Sequence, residues 1–408
     1  MSNVPAAASG ANQKPSAAPS PKLESKPESK SESKPKQSTQ GPLTMWHGLD
    51  LKRLRAFRTL DPKTSWKRAG QLGSLPVLAA YNSAMRSLES LLYGRKITSA
   101  VIPDEPLFIV GHWRSGTTLL HNLICQDPQF TFPNLYQCVF PHHFLVTEAI
   151  NTKLTGWMMP STRPMDNVPC GWDLPQEDEI ALCLLDLVSP YRMLADMQLP
   201  VYDRYFDIAL LPEDEKRRWM DSLTLLMRKL AVRDPRPQCL KSPSHTARVG
   251  LLAQMFPTAK FLYIHRDPFR VYQSTNHLRR TMWGENSLTD ESPPQDVPEQ
   301  TLHCYEITVK AYERDKSSVP DGQLHEIAYD DLSADPVGCL RDAYDALGID
   351  GFDTLETILQ PQVPALKAYK KNTFRQPDPD EVAMVQRRLK FAYDAYGYPT
   401  VEADAIVE

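Results

Sequence analysis

No uninterrupted apolar run in this chain reaches the roughly 18 residues that a membrane-spanning helix needs. Its N-terminus carries no apolar core of the kind a secretory leader requires, so a cytoplasmic protein is expected. No C-x-x-C pair occurs among the seven cysteines, at 125, 138, 170, 183, 239, 304 and 339. That excludes a disulfide framework and a thiolate zinc site of ordinary spacing, and leaves scattered reduced thiols and no metal as the expectation. Nor is there an excess of either charge. A net charge of −4 gives no global attraction to nucleic acid, and no nucleic-acid partner is expected. Long-period repeats are missing as well. What remains is a chain of 408 residues, 41% apolar and 24% charged, with the composition of a soluble globular protein of one large domain or two ordinary ones.

Three regions follow from composition and periodicity. Residues 1–42, with "ESKPESKSESKPK" at their heart, hold too little apolar surface to offset the entropy of ordering and are predicted to be a disordered tail. Residues 43–100 are predicted to be a helical extension. Within them, 45–68 carry Lys52, Arg53, Arg55, Arg58, Lys63, Lys67 and Arg68 interleaved with Leu51, Leu54, Phe57 and Trp66. This pattern suits either a peripheral membrane contact or an amphipathic helix packed on the main domain with a solvated basic face. A second helix is predicted over 76–93, where Val77, Tyr81, Ala84, Leu88, Leu91 and Leu92 recur at helical spacing, Pro76 suits the first turn and Gly94 the stop. Residues 101–400 form the main domain. Apolar strands at 107–110, 238–240, 260–265 and 324–329 alternate with helices at 117–125, 177–188, 213–231, 245–255, 268–280, 299–315 and 336–347, which argues for a parallel α/β sheet. The acidic, Pro-rich segment 284–298 is predicted to be a loop near the site, in the position of a lid.

The stretch "FIVGHWRSGTTLL" at 108–120 holds the strongest chemical signal. A strand, a turn bounded by Gly111 and Gly116, and a helix start place several backbone N–H groups around one concavity, which suits a phosphate or sulfate. Thr117 and Thr118 add hydroxyls, and Arg114 adds a permanent charge within the loop. An NTPase loop would have lysine where Thr117 stands. Moving the basic residue to Arg114 suits a transferred group less charged than a γ-phosphoryl, with no obligatory metal; a sulfuryl group fits. A second strand runs into "HRDPFRVYQS", where Arg266 and Ser274, eight residues apart, can converge on one phosphate.

With these motifs in place the chain resembles the sulfotransferases that use 3′-phosphoadenosine 5′-phosphosulfate (PAPS). In that family a P-R/K-S-G-T-T loop binds the 5′-phosphosulfate; here the loop is "WRSGTT", which implies donor contacts from Arg114, Ser115, Gly116, Thr117 and Thr118. The family's Arg and Ser on the 3′-phosphate are matched by Arg266 and Ser274, and its Y-E/D-D-L…DP stretch by "YDDLSADP" at 329–336. The resemblance covers about 106–347, more loosely to 398. Trp113, in place of the usual proline, points to the bacterial-type branch. The implied fold is a P-loop-like three-layer sandwich with a central parallel sheet. Lys241, at the end of a strand, matches a family lysine that reaches the sulfuryl group, and "AYKKNTFRQ" offers Lys370, Lys371 or Arg375 as a loop over the nucleotide.

In-line transfer needs a positioned donor, positive charge on the departing phosphate, and a base. Arg114 and Lys241 are the expected cations. The family uses His in some branches and Glu in others, so the base must be argued locally. Glu177, Asp178 and Glu179 open an apolar helix in a number beyond what capping requires, and His245 follows. His142 and His143 either line an acceptor pocket or cap the core. The acceptor stays open among small molecules, carbohydrates and lipids. A metal-dependent P-loop kinase and a non-catalytic membrane-surface anchor are the alternatives; the missing loop lysine argues against the first.

Overall fold

A computed structural model describes residues 43–158, 170–367 and 378–400. The tail predicted over 1–42 and the basic loop with Lys370, Lys371 and Arg375 lie outside the described residues. Four short runs form the strands β1 (Leu107–Val110), β2 (Cys239–Lys241), β3 (Lys260–His265) and β4 (Leu324–Ala328). They pair in parallel in the order β2-β1-β3-β4. Each falls on a predicted strand, shifted by one residue at most. The apolar runs of β1 and β3 suit strands buried on both faces. Phe108 and Val110 point into one core with Leu240, Phe261 and Tyr263. Leu107 and Ile109 point into the other with Leu262 and Ile264. Helices cover both faces, which gives the three layers. Because the strands are parallel, the segments following all four gather at the C-terminal edge of the sheet, where sites form in such folds.

The helices, in chain order, begin with α1 (Leu51–Arg58) and α2 (Ala69–Ser99), before β1. Between β1 and β2 come α3 (Thr117–Ile124), α4 (Leu135–Val139), α5 (Phe144–Thr155), α6 (Asp178–Asp186), α7 (Leu199–Phe206) and α8 (Glu213–Arg233). Next come α9 (Val249–Met255), α10 (Pro268–Asn286), α11 (Val297–Asp315), α12 (Tyr329–Ala334) and α13 (Pro336–Leu347), and four shorter helices end the described chain. The predicted 245–255 helix divides: a 3-10 turn, Pro243–Arg248, precedes α9.

Asp50 caps α1 by accepting from the Arg53 N–H at 2.7 Å. The helix buries Leu54 and Phe57, with the Phe57 ring 4.5 Å from that of Trp46, against Cys183 and Leu184 of α6. Leu54 and Phe57 are thus turned to the protein, whereas Leu51 and Trp66 of the same basic stretch are exposed. Helix α2 departs from its predicted bounds. It passes through both Pro76 and Gly94, because Gly94 keeps a negative φ and does not form a left-handed stop. Leu75, Ala79, Asn82, Glu89 and Ile97 form its buried face. The predicted loop at 284–298 also shortens, since α10 continues to Asn286 and α11 starts at Val297. What remains is tied to the N-terminal extension: Ser65 N–H donates to the Leu288 carbonyl at 3.0 Å and Lys67 pairs with Asp290 at 2.6 Å.

Candidate active site

The loop after β1 is shaped by backbone constraint. Gly111 (φ +144°) would put a Cβ 2.4 Å from the Ile264 carbonyl oxygen, and Gly116 (φ +114°) would put one 2.5 Å from the Tyr329 ring. Only glycine fits either place. Arg114 itself sits at φ +70°, a strained conformation for a residue with a side chain. The Gly111 N–H donates to Thr246 Oγ1 at 2.7 Å, which fastens the loop to the segment after β2. Helix α3 starts at Thr117 with Gly116 as its N-cap and no capping side chain. Ser115 Oγ is buried and has no hydrogen-bond partner among the described residues. An uncapped helix start, an orphaned buried hydroxyl and a strained arginine are what an anion would complete.

The second motif arrives at the same place. Arg114 Nε donates to Ser274 Oγ at 2.8 Å, so the loop and the second turn of α10 touch directly. The Arg266 guanidinium lies 4.2 Å over the Tyr329 ring. Burial lowers its proton affinity; the Arg114 and Arg270 charges push the same way, and Tyr329 and Asp330 oppose them. Tyr329, which opens the YDDL stretch, therefore touches both the glycine turn and the second arginine. The glycine loop thus meets Ser274 through Arg114 and, through Tyr329, meets Arg266.

Beside this loop, three consecutive acids meet Lys241 at the end of β2 and His245 and Arg248 of the segment after it. Lys241 Nζ donates to Glu177 Oε1 at 2.7 Å, His245 Nε2 contacts Asp178 Oδ2 at 2.6 Å, and Arg248 Nη2 donates to Glu179 Oε1 at 3.2 Å. Their environments differ. Asp178, Glu179, His245 and Arg248 are buried, with Ser244 Oγ also donating to Glu179 at 2.6 Å and Arg248 lying over the Trp219 ring. Glu177 alone of the three acids lines an open cavity, its side chain 16% exposed, while its partner Lys241 is 1% exposed. Glu177 is the N-cap residue of α6 but its carboxylate does not cap the helix. Instead it accepts from Lys241 and from the Tyr191 hydroxyl, which in turn accepts from Trp113 Nε1 at 3.2 Å. Burial and the Glu177 charge push the Tyr191 hydroxyl well above its ordinary pKa.

The cavity, about 860 Å³ including its open mouth, is walled mainly by apolar side chains, among them Trp113, Ile180, Met193, Leu194, Phe206 and Met282. His112 and Arg279 are polar exceptions. Burial, helped by the Arg279 charge, lowers the His112 pKa to about 4, so the ring is neutral at neutral pH. Its Nε2 has no partner among the described residues, and its Nδ1 faces the Trp113 carbonyl at 2.9 Å. Tyr191 carries no signal in the sequence; His112 does, since it lies within the glycine loop two places before Arg114. His142 and His143 do not reach the cavity: His142 bonds the Leu184 carbonyl, and His143 lies between Asn82 and Thr147. His121 of α3, Cys125 at its C-cap and Cys239 of β2 bring potential ligand atoms within 4.8 Å of one another, a cluster that the cysteine spacing did not foretell. Burial raises the Cys125 thiol well above its ordinary pKa.

Residues 106–354 match the profile described as the Sulfotransferase family, which is more than half of the chain. Among curated proteins, the chain is 33% identical over 323 residues to the omega-hydroxy-beta-dihydromenaquinone-9 sulfotransferase Stf3 of Mycobacterium bovis, covering 79% of this chain and 82% of that one. The Mycobacterium tuberculosis protein of the same name matches equally. Among solved structures, sulfotransferase STF9 from Mycobacterium avium superposes with a TM-score of 0.56 at 20% identity, covering 76% of this chain and 81% of that chain. STF1 from Mycobacterium tuberculosis gives 0.54 at 18%, covering 78% and 82%. These two likenesses concern the fold, and they agree with the parallel sheet and its loop. The matched profile and the curated relatives place the chain in the sulfotransferase family, and it is an enzyme of that class.

Proposed function

We propose that this sulfotransferase takes the sulfuryl group of PAPS and delivers it in line to a hydroxyl on an apolar, lipid-like acceptor, with Glu177 as the base. The observation that carries the proposal is the position of Glu177, on the wall of an apolar cavity and bonded to Lys241 beside the anion cleft. The acceptor hydroxyl gives its proton to the Glu177 carboxylate as its oxygen bonds to sulfur. The bond between sulfur and the bridging phosphate oxygen breaks, and adenosine 3′,5′-bisphosphate leaves. Lys241 and Arg114 offset the charge that grows on the departing phosphate. Arg266 and Ser274 hold the 3′-phosphate, and the loop from Arg114 to Thr118 holds the 5′ end. Tyr191 and Lys241 fix the carboxylate, which suits a base that must meet one hydroxyl in one orientation. The apolar walls favour an acceptor that buries hydrocarbon over a carbohydrate, and the curated relatives act by name on a hydroxylated menaquinone.

The test is transfer of labelled sulfate from PAPS to a matched acceptor series: a hydroxylated isoprenoid quinol, a long-chain alcohol, and a soluble sugar. Turnover is expected with the first two and not the third. Turnover with the sugar alone would overturn the acceptor assignment. Calorimetry should show adenosine 3′,5′-bisphosphate binding without magnesium, and binding no tighter than that of ADP would overturn the donor assignment.

A further inference from the structure

Helix α2 is built inside out. Its buried face carries Asn82, which donates to the His47 and Leu49 carbonyls at 2.8 Å, and Glu89, which pairs with Lys229 at 2.6 Å. The apolar stripe picked out by its spacing, Val77, Tyr81, Leu88, Leu91 and Leu92, lies on the opposite side and is exposed, Leu91 by 81%. At about 100° per residue these positions fall along one line of the helix, roughly half a turn from Leu75, Ala79, Asn82 and Ile97. A second exposed apolar row lies on α5 and the turn after it: Ile150, Leu154 and Trp157, the last 83% exposed. The two rows are neighbours, because Asn151 of α5 donates to the Tyr81 hydroxyl at 3.1 Å. Scattered exposed apolar residues need no explanation, but a continuous pair of rows marks an interaction surface.

Charge identifies what covers it. Arg95 continues the α2 stripe two turns beyond Leu88, Lys96 follows it, and Lys153 stands between Ile150 and Leu154; all three are exposed. None of them has an ion-pair partner among the described residues. Residues 51–100 together hold ten Lys or Arg and two Asp or Glu, in a chain whose net charge is −4. A second copy of the chain packed symmetrically on this face would set the same unpaired cations against each other. Hydrocarbon, a rim of unpaired cations, and Trp and Tyr at the edge together match the boundary of a bilayer rich in anionic lipid.

We infer that the exposed face of α2 and α5 seats this protein on an anionic phospholipid membrane, lying on the surface without crossing it. The inference is independent of the acceptor, since it rests on a surface outside the cavity. The full chain is tested by co-sedimentation with vesicles of phosphatidylcholine alone and with phosphatidylglycerol added. Binding to the anionic vesicles is expected, with a loss of about tenfold or more in the variant Leu91→Glu/Trp157→Glu. A similar loss, confined to the anionic vesicles, is expected for Arg95→Glu/Lys153→Glu. Both variants should keep wild-type affinity for adenosine 3′,5′-bisphosphate, which shows that they fold. Failure of the wild type to bind either vesicle, or unaltered binding by both variants, overturns the inference. A dimer in sedimentation velocity that Leu91→Glu dissociates overturns it in favour of self-association.

Discussion

Replacing Glu177 by glutamine separates the chemistry from the scaffold that holds it. The amide keeps the shape and one acceptor oxygen, so either Lys241 or Tyr191 retains a hydrogen bond. Lys241, 1% exposed, loses its counter-charge. Losing a charged hydrogen-bond partner while an acceptor remains costs about 1–3 kcal/mol, less than the 3–5 kcal/mol or so expected when a buried pair is broken outright. The folded state should therefore persist at 25 °C with a lowered Tm. Loss of a general base lowers turnover by about 10²–10⁴-fold. Single-turnover transfer from PAPS should fall in that range, while the Kd for adenosine 3′,5′-bisphosphate stays within about threefold, because none of the nucleotide contacts proposed here involves Glu177. Tyr191 is held well above its ordinary pKa and stays protonated, so it acts as a donor to Glu177 and not as a second base, and Tyr191→Phe should lower turnover less than Glu177→Gln. Turnover of Glu177→Gln within tenfold of wild type would refute Glu177 as the base.

Arg266→Ala should weaken adenosine 3′,5′-bisphosphate binding by about 10- to 150-fold, the loss of charge-assisted hydrogen bonds, and leave the 3′-dephospho nucleotide unaffected; calorimetry with both ligands decides. Gly116→Ala forces an alanine to φ +114° with its Cβ 2.5 Å from Tyr329, and should cost about 1–3 kcal/mol of stability together with nucleotide affinity, measured by urea titration and calorimetry. The His112 pKa falls from 6.5 to about 4 on folding. Its neutral form is the one the fold accommodates, so its contribution is fully present above pH 6.5 and is lost as pH drops towards 4, by about 3 kcal/mol; His112→Asn should flatten the unfolding free energy across that window. Arg248→Leu strands the buried Glu179 carboxylate and should destabilise the chain by about 3–5 kcal/mol, while Arg248→Leu/Glu179→Leu should recover most of that loss in the same denaturation assay.

The strands were legible because each carries a short apolar run: β1 is wholly apolar and buried, β3 is apolar between Lys260 and His265, and β4 buries only Ile327. The anion loop was legible for a related reason: Gly111 and Gly116 are demanded by backbone approach, a local constraint that leaves a local mark. Spacing alone suggested Arg266 and Ser274 as partners, but the contact made is between Ser274 and Arg114, while Arg266 lies over Tyr329, partners that sequence distance hides. Helix α2 defeated the same logic. Its spacing is regular, yet the regular face is the exposed one, since Asn82 and Glu89 find buried partners in His47, Leu49 and Lys229 that lie far away in the sequence. Periodicity reports that a helix has two faces; partners decide which one is buried. Tyr191 was illegible for the same cause, its role arising wholly from contacts with Trp113 and Glu177.

The acids Glu177, Asp178 and Glu179 show how one string can carry chemistry and architecture together. Their partners Lys241, His245 and Arg248 are spaced by four and three, so one face of the segment after β2 presents a base to each acid in turn. Two of the pairs are sealed in the core, where a charge without its partner would be costly. Those pairs fix the start of α6 against the edge of the sheet. Glu177 precedes the helix in extended backbone (φ −72°, ψ 120°), and this conformation turns its side chain away from the core and towards the cavity. Glu177, the base proposed here, therefore stands at the end of a rigid ladder, and Lys241, its rung, ends β2 next to β1, whose C-terminal end leads into the glycine loop. A lone exposed glutamate could accept a proton equally well in water, but it would not be held in one orientation by Lys241 and Tyr191, and a fixed orientation is what the proposed in-line transfer needs.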